Sequence, residues 1–452
     1  MSKIFNNIEI TDIASGGLGV GKFKNKVVFV QKAIPGDIIN VEKIKEKKTF
    51  INGKIYEIVQ PSPLRKKALC PHFDICGGCK WQITDYKNQL DFKTTIVRKA
   101  FQYIGKIDID GILEEIIPCE EQYFYRNKME FSFAPSEENF LSLGLHLPGK
   151  WNEVFDVKTC KLFDEKSNEI LEFVRKITID RGIQPYDNYE NRGILRFLMV
   201  RRGVNTGHYL INLVSTGEKE EQLNDILMKV SDKFEFVTTV VHNISKRKAA
   251  IAVGEKEKII SGDGYIIENL LGKNFKISAN TFFQSNTKQA EKLFSKAIEI
   301  ADFTKSQRVL ELYSGTGAIS ILLSPYVKEI IGIEIVEDSV KRAMENLELN
   351  GVRNCKFLVG DTAKIIGNFE NDFFDAVVVD PPRPGLAPKV VQTILNISPE
   401  KILYISCNPD TLARDIALFT NRDLYSLKRL IPVDMFPQTH HIETIALLEK
   451  SG

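Results

Sequence analysis

Two hydrophobic patterns divide the chain. From residue 281 onward, short apolar runs at 307–313, 330–334, 356–359, 375–379 and 402–405 alternate with helix-period segments. The runs are rich in Val, Ile and Leu without polar alternation, as expected of strands buried on both faces of a parallel sheet. Between two of them, Val340, Ala343, Met344 and Leu347 share one helical face, and Asn350-Gly351 supplies the stop. A late strand spans 441–448. The first sixty residues read differently. Strand-like segments at 8–10, 26–30, 38–44 and 50–59 are separated by a glycine-rich turn, Ser15-Gly16-Gly17-Leu18-Gly19-Val20-Gly21, and by Ala33-Ile34-Pro35-Gly36-Asp37. Short strands at this spacing predict a small all-β barrel of the OB type. In the middle, an amphipathic helix over 86–104 and a helix over 218–230 are mixed with strands at 195–200, 208–214 and 236–242. The pattern therefore predicts an α/β protein with three domains: an N-terminal barrel over 1–60, a central α+β domain over 61–280 and a doubly wound, Rossmann-like domain over 281–452.

Composition narrows the class. A chain of 452 residues with 43% apolar and 27% charged content is a globular protein too long for one core. No apolar run reaches the ~20 residues of a membrane span, and no signal-like segment opens the chain, so no membrane contact and a cytoplasmic location are expected. Net charge is only +2, but residues 1–68 hold 13 Lys and Arg against 6 Asp and Glu. A basic module on a near-neutral body points to a polyanionic partner. Tyr125-Arg126-Asn127-Lys128, with the alternating segment that follows as far as Phe133, sets cations beside apolar residues and is a candidate nucleic-acid contact or an ordinary solvated edge.

Strand ends carry the chemistry. The run 307–313 is followed by Ser314-Gly315-Thr316-Gly317, and the next strand ends at Glu334, 19 residues beyond Gly315. Nicotinamide and S-adenosylmethionine sites share this arrangement, the acid accepting hydrogen bonds from ribose hydroxyls. Ser320 stands where the dinucleotide fingerprint has Gly or Ala. Asp361 ends the third strand and Asp380-Pro381-Pro382-Arg383 the fourth, which favours a methyltransferase. Cys407 follows the run 402–405, in Ser406-Cys407-Asn408-Pro409. A cysteine there is either an inert core thiol or a nucleophile at the ligand-binding edge of the sheet. Carbon 5 of a pyrimidine needs such a thiol, since addition at carbon 6 makes carbon 5 nucleophilic, and it also needs a base. Glu443 is the candidate base. Asn280-Thr281-Phe282-Phe283-Gln284 offers an amide and aromatic faces.

Seven cysteines do not form a secreted disulfide pattern. Cys70-x5-Cys76-x2-Cys79 has chelating spacing, with Gly77-Gly78 inside the tight pair. The options are zinc, an iron–sulfur cluster or no metal, and a fourth ligand would come from Cys160, Cys119 or His72. The C-x3-C-x2-C spacing of radical enzymes is absent, so the centre is read as structural.

Taken together these motifs resemble the RNA uracil-C5 methyltransferases, in the branch that carries a TRAM barrel and a 4Fe-4S cluster and acts on 23S rRNA. The resemblance covers nearly the whole chain and is carried by Gly16-Gly17-Leu18-Gly19-Val20, Cys70-x5-Cys76-x2-Cys79, Tyr125-Arg126-Asn127-Lys128, Phe282-Phe283-Gln284, Asp380-Pro381-Pro382-Arg383, Ser406-Cys407-Asn408-Pro409 and His441-Ile442-Glu443. It implies Cys407 as nucleophile and Glu443 as base. It implies Gln284, Tyr313, Glu334, Asp361 and Asp380 around S-adenosylmethionine and the uracil. It implies Cys70, Cys76, Cys79 and Cys160 as cluster ligands, and a helix at 86–104 packed on the catalytic domain. Ala318 departs from members that place a polar cofactor contact there. The partner implied is RNA, 23S rRNA before tRNA, with no protein partner. The rival class is a non-catalytic ribosome-assembly factor, which would have no need of the paired Cys407 and Glu443.

Overall fold

Alternating burial decides the N-terminal fold. In the computed structural model, which describes residues 3–247, 252–367, 369–370 and 372–451, β1 (Ile4–Ala14), β2 (Leu18–Phe23), β3 (Lys26–Val30), β4 (Ile38–Glu46) and β5 (Phe50–Gln60) close into a barrel in the order β1-β2-β3-β5-β4. Phe5, Ile8, Ile10, Val28, Val30, Ile39, Val41 and Ile51 fill it. The glycine-rich stretch is only partly a turn. Ser15–Gly17 bends, while Leu18–Phe23 is a strand whose glycines face crowded neighbours: a Cβ at Gly19 would lie 2.6 Å from the Ala33 carbonyl oxygen, and one at Gly21 2.5 Å from that of Glu9. The glycines let a narrow barrel close.

Helix α1 (Tyr86–Lys99) runs into a π-turn, Ala100–Gly105. Its buried face presents Gln89, Phe92, Lys93, Ile96 and Val97. Trp81, Phe92 and Ile96 share a core with Ile13 and Ile34 of the barrel segment.

The central sheet has the order β12-β11-β10-β9-β6-β7-β8. It is built from β6 (Lys128–Ser136), β7 (Phe140–Leu147), β8 (Lys150–Asp156), β9 (Leu195–Arg202), β10 (Tyr209–Ser215), β11 (Val237–Ile244) and β12 (Lys256–Ser261), with helices α2 (Lys166–Asp180) and α3 (Glu220–Lys233). Phe131, Leu141, Leu143, Leu198 and Ile211 of the sheet meet Leu171, Val174, Leu223 and Leu227 of the helices in one core. Hairpin β13 (Tyr265–Leu270)–β14 (Lys273–Ser278) leads to α4 (Thr287–Ala301).

The doubly wound pattern begins with β15 (Arg308–Leu312), α5 (Ala318–Leu323), β16 (Glu329–Glu334), α6 (Glu337–Leu349), β17 (Cys355–Val359) and α7 (Thr362–Ile366), in which β16 pairs in parallel with both β15 and β17. It continues with β18 (Ala376–Val379), α8 (Pro388–Ile397), β19 (Lys401–Ser406), α9 (Pro409–Thr420), β20 (Tyr425–Val433) and β21 (Glu443–Lys450). Here β18 and β19 are parallel, and β21 lies antiparallel between β19 and β20.

Packing divides the chain into two compact units that do not follow the order of the sequence. One comprises residues 1–73, 78–122 and 369–452, and the other residues 74–77 and 123–368. The barrel, α1 and the last four strands thus form one unit. The central sheet and the first three parallel strands form the other.

Among the described residues no helix is long and apolar enough to cross a membrane.

Candidate functional site

Cys407 stands where β19 gives way to α9. Ile402 to Ser406 are fully packed, so the strand direction is fixed up to the residue before the thiol. Asn408 then caps α9 by accepting from the Asp410 amide (3.1 Å), and Pro409 occupies the first helical turn. The Ser406 hydroxyl accepts from the Asn408 amide at 3.2 Å and donates to its carbonyl at 3.1 Å. The loop after β18 is tied to the same corner: Asn408 Nδ2 donates to the Arg383 carbonyl at 3.0 Å. Behind both lies the buried Asp415 carboxylate, which accepts from the Leu386 amide and the Tyr404 hydroxyl, each at 2.8 Å.

Register brings the other groups in. Ser406 pairs with Thr444 across β19 and β21, so the next pair outward is Cys407 and Glu443. Glu443 is buried and its carboxyl is pushed well above the usual carboxylate range, first by burial and then by Asp380, with Arg383 opposing. Burial raises half-buried Asp380 to about 7. Burial, then Glu443 and Asp380, push the Cys407 thiol up to about 11, and Arg383 opposes them. Cys407, Glu443, Asp380 and Arg383 therefore form one electrostatic cluster. In the absence of a bound substrate the thiol stays protonated at neutral pH. Arg383, exposed and 3.5 Å from His441, is the cation among these four groups.

The segment that delivers Glu443 is held from below by α1. Fully buried Lys93 makes an ion pair with fully buried Asp434 and donates to the Phe436 carbonyl at 3.0 Å. Asp434 also accepts from the Tyr86 hydroxyl (2.7 Å) and the Phe436 amide (3.1 Å). Gln89 and Gln438 exchange hydrogen bonds at 2.9 and 3.0 Å. Gly105 of the π-turn approaches α9 so closely that a Cβ there would lie 3.0 Å from the Ala413 carbonyl oxygen.

The glycine turn after β15 lies in the other unit. Tyr313, Gly315 and Gly317 all have positive φ (63°, 52° and 79°). The Gly315 amide donates to one Glu334 oxygen at 3.0 Å and the Val336 amide to the other at 2.9 Å. The carboxylate at the end of β16 is thereby fixed in orientation. A Cβ on Gly315 would meet nothing within 4 Å, so the turn is open at Gly315, while Gly317 packs against Phe357. Asp361 caps α7 through the Lys364 amide at 3.0 Å and is exposed. Beside Glu334, Ile335 is 65% exposed, a large apolar surface at a strand end for which sequence periodicity gives no signal. These features fit an adenosyl group: an oriented carboxylate for ribose hydroxyls, an apolar face for the base and a glycine turn open at Gly315.

The segment 281–287 is set by Asn127. Its Nδ2 donates to the Gln284 carbonyl at 2.7 Å and to the Thr287 hydroxyl at 2.9 Å, and its amide donates to the Ser285 carbonyl at 2.8 Å. Buried Arg201 donates to the Thr281 carbonyl at 2.8 Å. The Tyr125–Lys128 motif thus holds the segment that carries Gln284. Tyr125 and Asn127 point inward, Gln284 is half-buried, and Phe282 is 71% exposed.

Of the four cysteines expected to share a centre, Cys70 and Cys79 pack against the Trp81 core of one unit. Cys76 and Cys160 belong to the other, and there burial raises the Cys160 thiol, with Cys76 close enough to add to the rise. Among the described residues no three His, Cys, Asp or Glu side chains gather into a metal-holding group. The donor chemistry of the four cysteines suits a thiolate centre.

Two family models match the chain. A family described as tRNA (uracil-5-)-methyltransferase matches residues 206–451, and the TRAM domain matches residues 6–55. An "uncharacterized RNA methyltransferase" of Caldanaerobacter subterraneus subsp. tengcongensis is 37% identical over 446 residues, covering 98% of both chains. One of Porphyromonas gingivalis is 36% identical over 469 residues, covering 98% of this chain and 100% of the relative. Among solved structures, Pyrococcus abyssi tRNA (uracil-54, C5)-methyltransferase in complex with S-adenosyl-L-homocysteine superposes with a TM-score of 0.78 at 26% identity, covering 98% of this chain and 99% of that one.

Proposed function

Because this chain belongs to the tRNA (uracil-5-)-methyltransferase family, we propose that it converts a uridine of a structured RNA to 5-methyluridine, with Cys407 as nucleophile and Glu443 as base. The observation that carries this reading is the juxtaposition of Cys407 with Glu443 where β19 and β21 pair, with Glu443 close enough to raise the Cys407 thiol. When bound, S-adenosylmethionine supplies an electrophilic methyl group.

The protein's residues do the rest. Cys407 sulfur adds to carbon 6 of the uracil as its thiol proton passes to solvent, so the ring's electrons are driven towards O4 and carbon 5. A thiol at about 11 cannot wait as thiolate. Its ionisation is coupled to the arrival of a ring that can take up the charge. Arg383 is placed to favour the anionic stages, being the cation of the cluster. Once carbon 5 carries the methyl group, Glu443 takes its proton. The electron pair returns to the ring, the C6–S bond breaks and Cys407 is restored. A carboxyl held above its usual range by burial is a stronger base than a free carboxylate. Glu334 and Asp361 are assigned to the ribose and base of the cofactor and Ile335 to its adenine face; Gln284, Tyr313 and Asp380 are also assigned to cofactor binding. In this assignment residues 1–60 bind RNA, 61–280 hold the cysteine centre and 281–452 carry out the transfer.

We assign a 4Fe-4S cluster to Cys70, Cys76, Cys79 and Cys160, in a structural role through which no step of the transfer passes. Its support is the Cys70-x5-Cys76-x2-Cys79 spacing and the proximity of Cys76 to Cys160. The substrate assigned is 23S rRNA. A tRNA uridine is the second reading, favoured by the solved relative that methylates tRNA. Deleting the gene and mapping 5-methyluridine in both RNAs tests this. Loss of one or more sites from 23S rRNA supports the assignment. Loss from tRNA alone transfers it to tRNA, and an unchanged pattern removes both.

A further inference from the structure

The barrel's glycine turn does not stand apart from the chemistry. Ser15, at its start, donates its hydroxyl to Asp410 Oδ1 at 2.8 Å, and Asp410 lies in the first turn of the helix that Cys407 precedes. The carbonyl of Gly16 accepts from the Lys80 ammonium. The Lys80 and Trp81 amides in turn donate to the Gln438 carbonyl at 3.0 and 3.1 Å, five residues before Glu443. Gly17 is buried with φ at +70°, and a Cβ there would lie 2.6 Å from the His440 Cβ and 3.3 Å from the Trp81 ring. The turn is anchored from behind, since Lys99 of α1 donates to the Ile13 carbonyl at 2.9 Å and pairs with Asp12. One short turn therefore touches both the helix that follows the nucleophile and the segment that delivers the base.

We infer that Ser15-Gly16-Gly17 is a positioning element of the methyl transfer, a brace that fixes Cys407 relative to Glu443 through Asp410 on one side and Gln438–His440 on the other. This rests on the reading of Cys407 and Glu443 as nucleophile and base. An RNA-binding barrel needs only an outer surface to hold its ligand. This turn packs through Gly17 against His440 and Trp81, a contact that any side chain there would prevent. Displacing reacting groups by about 1 Å costs on the order of a hundredfold in rate, so the effect should appear in the chemical step and not in affinity.

The test uses the full-length enzyme with in vitro transcripts of 23S rRNA and tRNA containing 5-fluorouridine, in the presence of S-adenosylmethionine. It reads the rate of covalent adduct formation at saturating RNA and, separately, the Kd for RNA. Ser15→Ala is expected to slow adduct formation about 3–10-fold and Gly17→Val about 30-fold or more, with Kd changed less than about twofold. Asp410→Ala should match Ser15→Ala, and the double variant should be no slower than either single one, because both remove the same contact. Should Gly17→Val not fold, this cycle decides alone. A raised Kd with an unchanged saturating rate overturns the inference and makes the turn an RNA-binding surface. Losses that multiply in the double variant, or unchanged rates in all variants, also overturn it. If the wild type forms no adduct with either transcript, the underlying reading of Cys407 fails instead.

Discussion

Replacing Lys93 with methionine isolates what α1 contributes to the site. Methionine keeps the length of the lysine stem and removes the ammonium from a position that is fully buried. Asp434, equally buried, then keeps two donors, Tyr86 Oη at 2.7 Å and the Phe436 amide at 3.1 Å, but has no cation. Breaking a buried pair from one side costs ~3–5 kcal/mol. The two surviving donors place this case at the lower end, about 3 kcal/mol. For a cooperative unit of this size, 1 kcal/mol moves Tm by roughly 2–4 °C, so Lys93→Met should lower it by about 6–12 °C. Adding Asp434→Leu removes the stranded charge and should recover about half of the loss, the rest being the acceptor that Tyr86 and Phe436 then lack. Differential scanning calorimetry of the three variants measures both numbers. A Lys93→Met protein within about 1 °C of wild type, or a double variant as unstable as the summed singles, would refute the argument that the pair is coupled and buried at a net cost.

Three further outcomes follow from the cluster around Cys407 and from the cysteine centre. Asp380 holds its proton up to about 7 when folded, against about 3.9 unfolded. Its contribution is thus present below about 4 and lost as pH rises through about 7, and Asp380→Asn should flatten that decline in a Tm-against-pH series. Alkylation of RNA-free Cys407 by iodoacetamide should rise about tenfold per pH unit through 7–9, given a thiol near 11. Glu443→Gln should make it faster by removing a neighbouring carboxylate, and an unchanged rate would remove that carboxylate as a cause. Anaerobically purified protein should contain about four irons and four sulfides per chain, and Cys160→Ser should lose them together with stability. Zinc in their place, or a full cluster without Cys160, contradicts the ligand set.

The sequence made the doubly wound pattern legible because strands buried on both faces need uniform apolar runs, and β15, β16, β18 and β19 have them. The turn residues Gly315 and Gly317 and the strand-end acids Glu334, Asp361 and Asp380 were readable for the same reason. Several elements were not. Strands β7 and β8 and helices α2 and α4 lie where periodicity was not decisive, and β2 was hidden in a glycine run that reads as a turn although its glycines serve a crowded interior. Asn127 looked like part of a basic contact strand, but the amide is turned inward to hold the Gln284 segment, a tertiary use that no local pattern encodes. The same holds for Lys93. A lysine on the apolar face of an amphipathic helix signals a misfit until Asp434, 341 residues away, supplies its partner.

Covalent trapping tests the central claim most directly. Wild-type protein, S-adenosylmethionine and a 5-fluorouridine transcript of the RNA it methylates should yield an RNA–protein species stable to denaturation. Fluorine at carbon 5 cannot leave as a proton does, so the C6–S bond cannot be released by elimination. Mass spectrometry of the digested complex should place the methylated fluorouridine on Cys407, and Cys407→Ala should give no complex while still binding S-adenosylmethionine. An active wild-type enzyme that forms no such complex, or a complex attached to another residue, would contradict the assignment of Cys407 as the nucleophile.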